Sequence, residues 1–215
     1  MKSPSYKLTF ALPKGRLAAK ALQLLNRCGI ITPHDFLDSR KLELYDGSGR
    51  YRFLLVKPSD VPVYVERGVA DIGIAGKDTL LEEGRDVYEM LDLGFGRCRL
   101  CVAGYAGRTY DNIPRVGTKY INIAKKYYES RGMSPDIVKL YGSVELAPVV
   151  GLSDVIIDLV ESGDTLKANG LSVLEEICTV SARVCVSRVS LKTDKRQIID
   201  LIDKLRRAVQ SYKLL

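Results

Sequence analysis

Apolar segments with the character of buried strands alternate with segments of helical periodicity along most of the chain, and that alternation leaves few folds open. Lys7 to Leu12 is bounded by Pro13-Lys14-Gly15, after which Leu17, Ala21, Leu22, Leu25 and Cys28 recur at helical spacing as far as Gly29. Arg52 to Val56 reads as a strand, Ser59-Asp60 as the cap of a helix through Val61, Val65 and Glu66, and Gly68 as its stop. Val69 to Ala75 is a buried strand, and Gly76-Lys77-Asp78-Thr79 opens a further helix. A β-α rhythm of this kind predicts parallel strands with helices on the sheet faces, because parallel neighbours must be joined by a crossover.

From Leu91 to Arg97 the pattern becomes glycine-punctuated, followed by a strand over Cys98 to Gly104 and a loop over Tyr105 to Pro114 that leads into a second lobe. There the rhythm resumes. Val116 to Thr118 precedes a helix from about Tyr120 to Arg131, and Ile137 to Tyr141 precedes a short helix over Val144 to Val150. Asp154 to Val160 and Ala182 to Val189 read as strands, and Lys195 to Val209 as an amphipathic helix with Ile198, Ile202, Leu205 and Val209 inward. The expected fold is α/β, with two lobes of mostly parallel sheet flanked by helices. Lobe I covers 1–92 with 180–215 returning to it, and lobe II covers 93–179. Ligands of such sheets bind beyond the carboxyl ends of the strands, here in a cleft between lobes.

Composition removes several function classes. No apolar run reaches the roughly 18 residues of a membrane span, and the N-terminus lacks a signal-peptide apolar core, so a cytoplasmic protein with no membrane partner is expected. Cys28, Cys98, Cys101, Cys178 and Cys185 are read as structural thiols, because Cys98 and Cys101 have no second pair to complete a zinc site. His34 is the single histidine, which argues against a serine-histidine triad or a histidine-rich metal site. The net charge of +7 is scattered, with few aromatics between the cations, which points to small polyanions and away from nucleic acid.

The richest stretch runs from Gly151 to Leu171. An apolar strand delivers Asp154, Asp158 and Glu161 toward a turn, and Ser162-Gly163-Asp164-Thr165-Leu166 then enters a short helix that Ser162 can cap. A helix start of this kind presents unpaired N–H groups beside the hydroxyls of Ser162 and Thr165, as a phosphate requires. Gly163 permits close backbone approach. The neighbouring carboxylates suit ribose hydroxyls, although Asp154 and Asp158 fit strand-end packing equally well. Taken bare, the serine-glycine-x-threonine sequence is also a common cap.

Lys14-Gly15-Arg16 is the second candidate site, for a phosphate. Two cations beside the positive end of a helix repel it by up to about 1 kcal/mol each unless an anion sits there. A solvated surface pair is the plainer reading. Arg40-Lys41 is less legible, since adjacent basic residues before a strand usually face water. Gly76-Lys77-Asp78 is kept outside the catalytic set as a helix start.

Glu145, Gly151, Ser153, Ile156, Asp158, Leu159 and Ser162-Gly163-x-Thr165-Leu166 together resemble the extended pattern of the ATP phosphoribosyltransferase family. Further likeness lies in Ala11-Leu-Pro-Lys-Gly-Arg16, Ser39-Arg-Lys-Leu42, Asp60 to Glu66, Ala70 to Asp78 and Lys139 to Pro148. The resemblance implies a periplasmic-binding-protein-like fold of type II. It implies transfer of the 5-phosphoribosyl group of phosphoribosyl pyrophosphate to N1 of the adenine of ATP, with Mg²⁺ bound along with the substrates. It implies Arg16 in the active site, Arg40 near the departing pyrophosphate with Lys41 beside it, and Cys98 near the nucleotide. Glu145 and Glu161 become ribose or pyrophosphate contacts. The chain looks like the short form, a homo-oligomer that also assembles with a regulatory subunit related to histidyl-tRNA synthetase. A binding-only protein and a phosphoribosyltransferase acting on a free base remain as alternatives.

Overall fold

A computed structural model describes residues 8–32, 41–108 and 114–212. The chain divides into two compact units, Met1–Gly96 with Ser181–Leu215, and Arg97–Val180.

The first unit begins with β1 (Leu8–Pro13), α1 (Arg16–Arg27), β2 (Glu43–Tyr45) and β3 (Tyr51–Val56). A 3-10 turn, Pro58–Asp60, leads into α2 (Val61–Glu66), followed by β4 (Ile72–Gly76), α3 (Lys77–Glu83) and β5 (Tyr88–Asp92). All six residues of β1 are buried. A strand covered on both faces does not alternate apolar with polar, which accounts for the poor alternation of its sequence. One face packs Phe10, Leu12, Phe53, Ile72 and Ile74 against Leu22 and Leu25 of α1. Phe10 and Phe53 stack with ring centroids 5.4 Å apart. The other face packs Ala11, Ala75 and Cys185 against Val61 and Val65 of α2. Here α2 lies so close to the sheet that a Cβ on Gly73 would fall 2.7 Å from a methyl of Val65 and 2.8 Å from Cys185 Sγ.

The second unit contains β6 (Cys98–Gly104), β7 (Arg115–Thr118), α4 (Ile121–Glu129), β8 (Asp136–Lys139), α5 (Leu146–Val149), β9 (Val155–Val160), α6 (Asp164–Ala168) and β10 (Ser172–Val180). The chain then returns to the first unit as β11 (Ala182–Val186), α7 (Arg188–Thr193) and α8 (Lys195–Tyr212). Ile198, Ile202, Leu205 and Val209 of α8 are buried as the spacing predicts.

The strand orders are β2-β3-β1-β4-β11-β5 and β10-β6-β9-β7-β8. The parallel pairs expected from the β-α rhythm are β1 with β3 and β4, and β7 with β8 and β9. Added to them are antiparallel pairs made by β2, β5, β6, β10 and β11, so each sheet is mixed. β10 escapes the sequence pattern because two register shifts interrupt its pairing with β6, and a bulge breaks the alternation on which strand recognition depends. β11 stops at Val186, short of the expected Val189, because the Ser187 side chain accepts a hydrogen bond from the Ser190 amide and starts α7. At α2 the expected Ser59-Asp60 cap makes no side-chain hydrogen bond, and the helix instead carries proline in its first turn.

The five cysteines form no disulfide among the described residues, with Cys101 and Cys185 buried and Cys28, Cys98 and Cys178 half-buried. Burial pushes the Cys185 thiol up to about 12. No described helix is long and apolar enough to cross a membrane.

Candidate active site

In β9, Val155, Ile156, Ile157 and Val160 are buried, which fixes the strand in the middle of its sheet and delivers the chain at Glu161 to a turn. Gly163 holds φ at 87° and occupies the N-cap position of α6. That left-handed conformation is the one glycine adopts without the strain of a Cβ. The expected cap by Ser162 is therefore displaced. Its hydroxyl donates to Asp164 Oδ2 at 2.7 Å and accepts from the Asp164 amide only at 3.4 Å. α6 is anchored by Leu166, buried among Ala103, Ile156 and Val160. The helix closes with Asn169 donating to the Thr165 carbonyl at 2.8 Å.

A pocket opens at this turn. It is lined by Asp158, Glu161, Ser162, Gly163, Asp164, Thr165 and Leu166, and by Glu145 from the start of α5. Ala103, Ile156, Leu159 and Val160 form its remaining wall. Glu145 reaches it from a tight turn in which Ser143 has φ 46°, the single described non-glycine residue with positive φ. First-turn amides of α6 have no acceptor within the helix, so this wall combines N–H donors, two hydroxyls and four carboxylates.

Asp154 does not join them. It precedes β9, and six residues at about 3.3 Å each separate it by roughly 20 Å from the pocket turn. Its carboxylate accepts the Arg115 amide at 2.8 Å and the Arg115 guanidinium at 3.0 Å. These bonds hold its pKa below the usual carboxylate range. An aspartate at the carboxyl end of a strand and one at its amino end look alike in sequence but face opposite edges of the sheet.

Cys98 opens β6 and is half-buried. Arg99 pairs with Val160, so Cys98 lies level with the beginning of the pocket turn, although it is not among the lining residues. In the first unit, Lys14 and Arg16 are exposed around the start of α1. Gly15 caps that helix with φ 101° and no side-chain hydrogen bond, and the first turn contains no acidic residue. The two cations therefore flank the positive end of α1. Lys41 is exposed, and Arg40 and His34 lie outside the described residues. Lys77, at the start of α3, is paired with Glu89.

Two residues of the neighbourhood went unread in the sequence. Thr118, fully buried, donates to the Ile157 carbonyl at 2.6 Å and accepts from the Tyr120 amide at 2.9 Å. Between them Lys119 reaches Asp158 at 3.2 Å. No local signal marks this lysine, because its contact arises from the parallel pairing of Thr118 with Ile157 across 39 positions.

The HisG family model, ATP phosphoribosyltransferase, matches residues 57–207. An ATP phosphoribosyltransferase of Lachnoclostridium phytofermentans is 53% identical over 206 residues, covering 93% of this chain and 95% of the relative. One from Thermoanaerobacter pseudethanolicus is 49% identical over 208 residues, covering 96% and 98%. Among solved structures, the ATP phosphoribosyl transferase (HisG:HisZ) complex from Thermotoga maritima aligns with TM-score 0.84 and 36% identity over 95% of this chain and 99% of that one. The periplasmic aliphatic sulphonate binding protein SsuA from Escherichia coli, 12% identical, aligns with TM-score 0.58 over 95% of this chain and 72% of its own length. The second likeness concerns the fold alone, and it agrees with the expected type II binding-protein architecture.

Proposed function

The chain belongs to the ATP phosphoribosyltransferase family, and from that premise we propose that it binds phosphoribosyl pyrophosphate in the pocket at the carboxyl end of β9. It is a pentosyltransferase that moves the 5-phosphoribosyl group to N1 of the adenine of ATP and releases pyrophosphate, the first step of histidine biosynthesis.

One observation carries the site assignment. Of the acidic and turn residues expected to meet phosphoribosyl pyrophosphate, one pocket gathers all but Asp154. In this reading the amides around Gly163 to Leu166, with Ser162 and Thr165, bind phosphate oxygens, while Glu145, Asp158 and Glu161 accept hydrogen bonds from ribose hydroxyls. Displacement at the anomeric carbon proceeds with inversion through a cationic ribosyl transition state, which nearby carboxylates stabilise. Arg16, exposed at the start of α1, binds phosphate oxygens as a planar fork. Arg40 and Lys41 are assigned to the departing pyrophosphate on the family resemblance, and Cys98 to the neighbourhood of the nucleotide.

Mg²⁺ enters with the substrates. Among the described residues no group of three or more histidine, cysteine or acidic side chains could hold a metal, so the carboxylates of the pocket would supply one or two ligands and the diphosphate oxygens the rest. When bound, the ion would neutralise charge on the leaving group.

The Thermotoga maritima relative was solved as a complex with HisZ. By analogy this chain assembles with itself and with a regulatory subunit similar to histidyl-tRNA synthetase, in the cytoplasm. A pyrophosphate-release assay with ATP and phosphoribosyl pyrophosphate, run with and without such a subunit, tests the reading. Release that depends on both substrates is expected. Release with a free purine or pyrimidine in place of ATP would overturn it.

A further inference from the structure

The pocket poses an electrostatic problem. Four carboxylates, Glu145, Asp158, Glu161 and Asp164, line a site assigned to a polyanion, and no lysine or arginine is among the lining residues. A carboxylate there is useful only if it is held in the geometry of a hydroxyl acceptor and its charge is partly offset.

Asp158 meets both conditions through Lys119. Its side chain is only 16% exposed, and Lys119 Nζ lies 3.2 Å from Oδ1. The Leu159 amide donates to the same Oδ1 at 2.8 Å. Two donors on one oxygen fix the rotation of the carboxylate and leave Oδ2 as the oxygen to meet a ligand. Lys119 is itself constrained. Its ammonium sits 4.9 Å from the ring centroid of Tyr120, which is 5% exposed, and the turn presenting it is closed by the buried Thr118 hydroxyl. The Lys119 side chain is 41% exposed, so its hold on Asp158 comes from the ion pair and the Tyr120 ring and not from burial.

We infer that Lys119 is a positioning residue for the phosphoribosyl group, acting through Asp158, which it orients as an acceptor for a ribose hydroxyl. The inference rests on the pocket assignment above. Lys119 makes no contact with the reacting atoms and serves the sugar, not the nucleotide.

The test is a double-mutant cycle on the full chain, read by calorimetry with Mg²⁺ and phosphoribosyl pyrophosphate, with melting curves to check folding. Lys119→Met and Asp158→Asn are each expected to weaken binding about tenfold, and the double variant to be no worse than about the weaker single. Lys119→Arg should recover most of the loss. In turnover, the KM for phosphoribosyl pyrophosphate should rise while the KM for ATP stays within about twofold. Losses that multiply to about a hundredfold in the double variant would mean that Lys119 touches the ligand directly, and would overturn the positioning role. Normal binding by Lys119→Met, with Asp158→Asn impaired, would overturn it while sparing the pocket. Normal binding by both Asp158→Asn and Gly163→Val would remove the pocket assignment itself.

Discussion

Arg115 grips Asp154 twice, with its own backbone amide at 2.8 Å from Oδ2 and its guanidinium at 3.0 Å from Oδ1, at the amino end of β9 and away from the pocket turn. The pair ties β7 to the entrance of β9, and the Asp154 amide returns a hydrogen bond to the Arg115 carbonyl at 2.8 Å. These contacts of Asp154 lie within the sheet.

Asp154→Asn should accordingly leave the KM for phosphoribosyl pyrophosphate and kcat within about twofold of the parent. Its effect belongs to stability near neutral pH, which is lost on acidification. Hydrogen bonds from the Arg115 side chain and amide depress the Asp154 pKa in the folded state. The stabilisation is then full above the unfolded pKa of about 3.9 and is lost as pH falls through the lower folded value. Melting curves should show the parent more stable than Asp154→Asn at pH 6 to 8, with the gap closing below about pH 4. A gap that widened on acidification would contradict the assignment.

Gly163→Val should abolish phosphoribosyl pyrophosphate binding. A Cβ at this position would meet Val160 at an ordinary 3.7 Å, so crowding is not the cause. The cost is conformational, because φ 87° is held against roughly 1–2 kcal/mol for a residue with a side chain, more if branched. The turn relaxes and its amides lose their aim. Calorimetry should register the loss while the melting temperature falls by only a few degrees. Unchanged affinity would refute the role of the turn.

Arg16→Ala should lower kcat/KM by about ten- to a hundredfold, the value of one charge-assisted contact of about 1.5–3 kcal/mol. The residue is exposed at the start of α1, so the melting temperature should barely move. Steady-state kinetics beside a thermal melt separate the two effects, and undiminished kcat/KM would take Arg16 out of the active site.

Gly73→Ala should destabilise the first unit by about 1–3 kcal/mol, because the added methyl would lie 2.7–2.8 Å from Val65, Val61 and Cys185 and would force α2 off the sheet. Denaturant unfolding measures this directly. A neutral result would show that α2 can shift without cost.

Much of the fold was legible because its signals are local. The spacing of Leu22 and Leu25, the glycines that end helices, and the apolar run Val155-Ile156-Ile157 mark elements whose formation depends on neighbours a few residues away. β10 and β5 were not legible. β10 is bulged, and both lie on sheet edges where half-exposed residues follow no clean alternation. The pocket turn was readable for the same local reason, since Glu161 to Leu166 are consecutive. Lys119 was not, because its place depends on which strands are neighbours.

The β-α rhythm, the strand leading to Gly163 and the family pattern that spans it are written in the order of the residues. Which acidic residues share the pocket depends on the folded arrangement, which brings Glu145 to it from another turn and leaves Asp154 with Arg115 at the opposite end of the strand. It also placed Lys119 on Asp158. The reason is physical: strand pairing and register join residues about 39 positions apart, and no local periodicity encodes which strand will lie beside which.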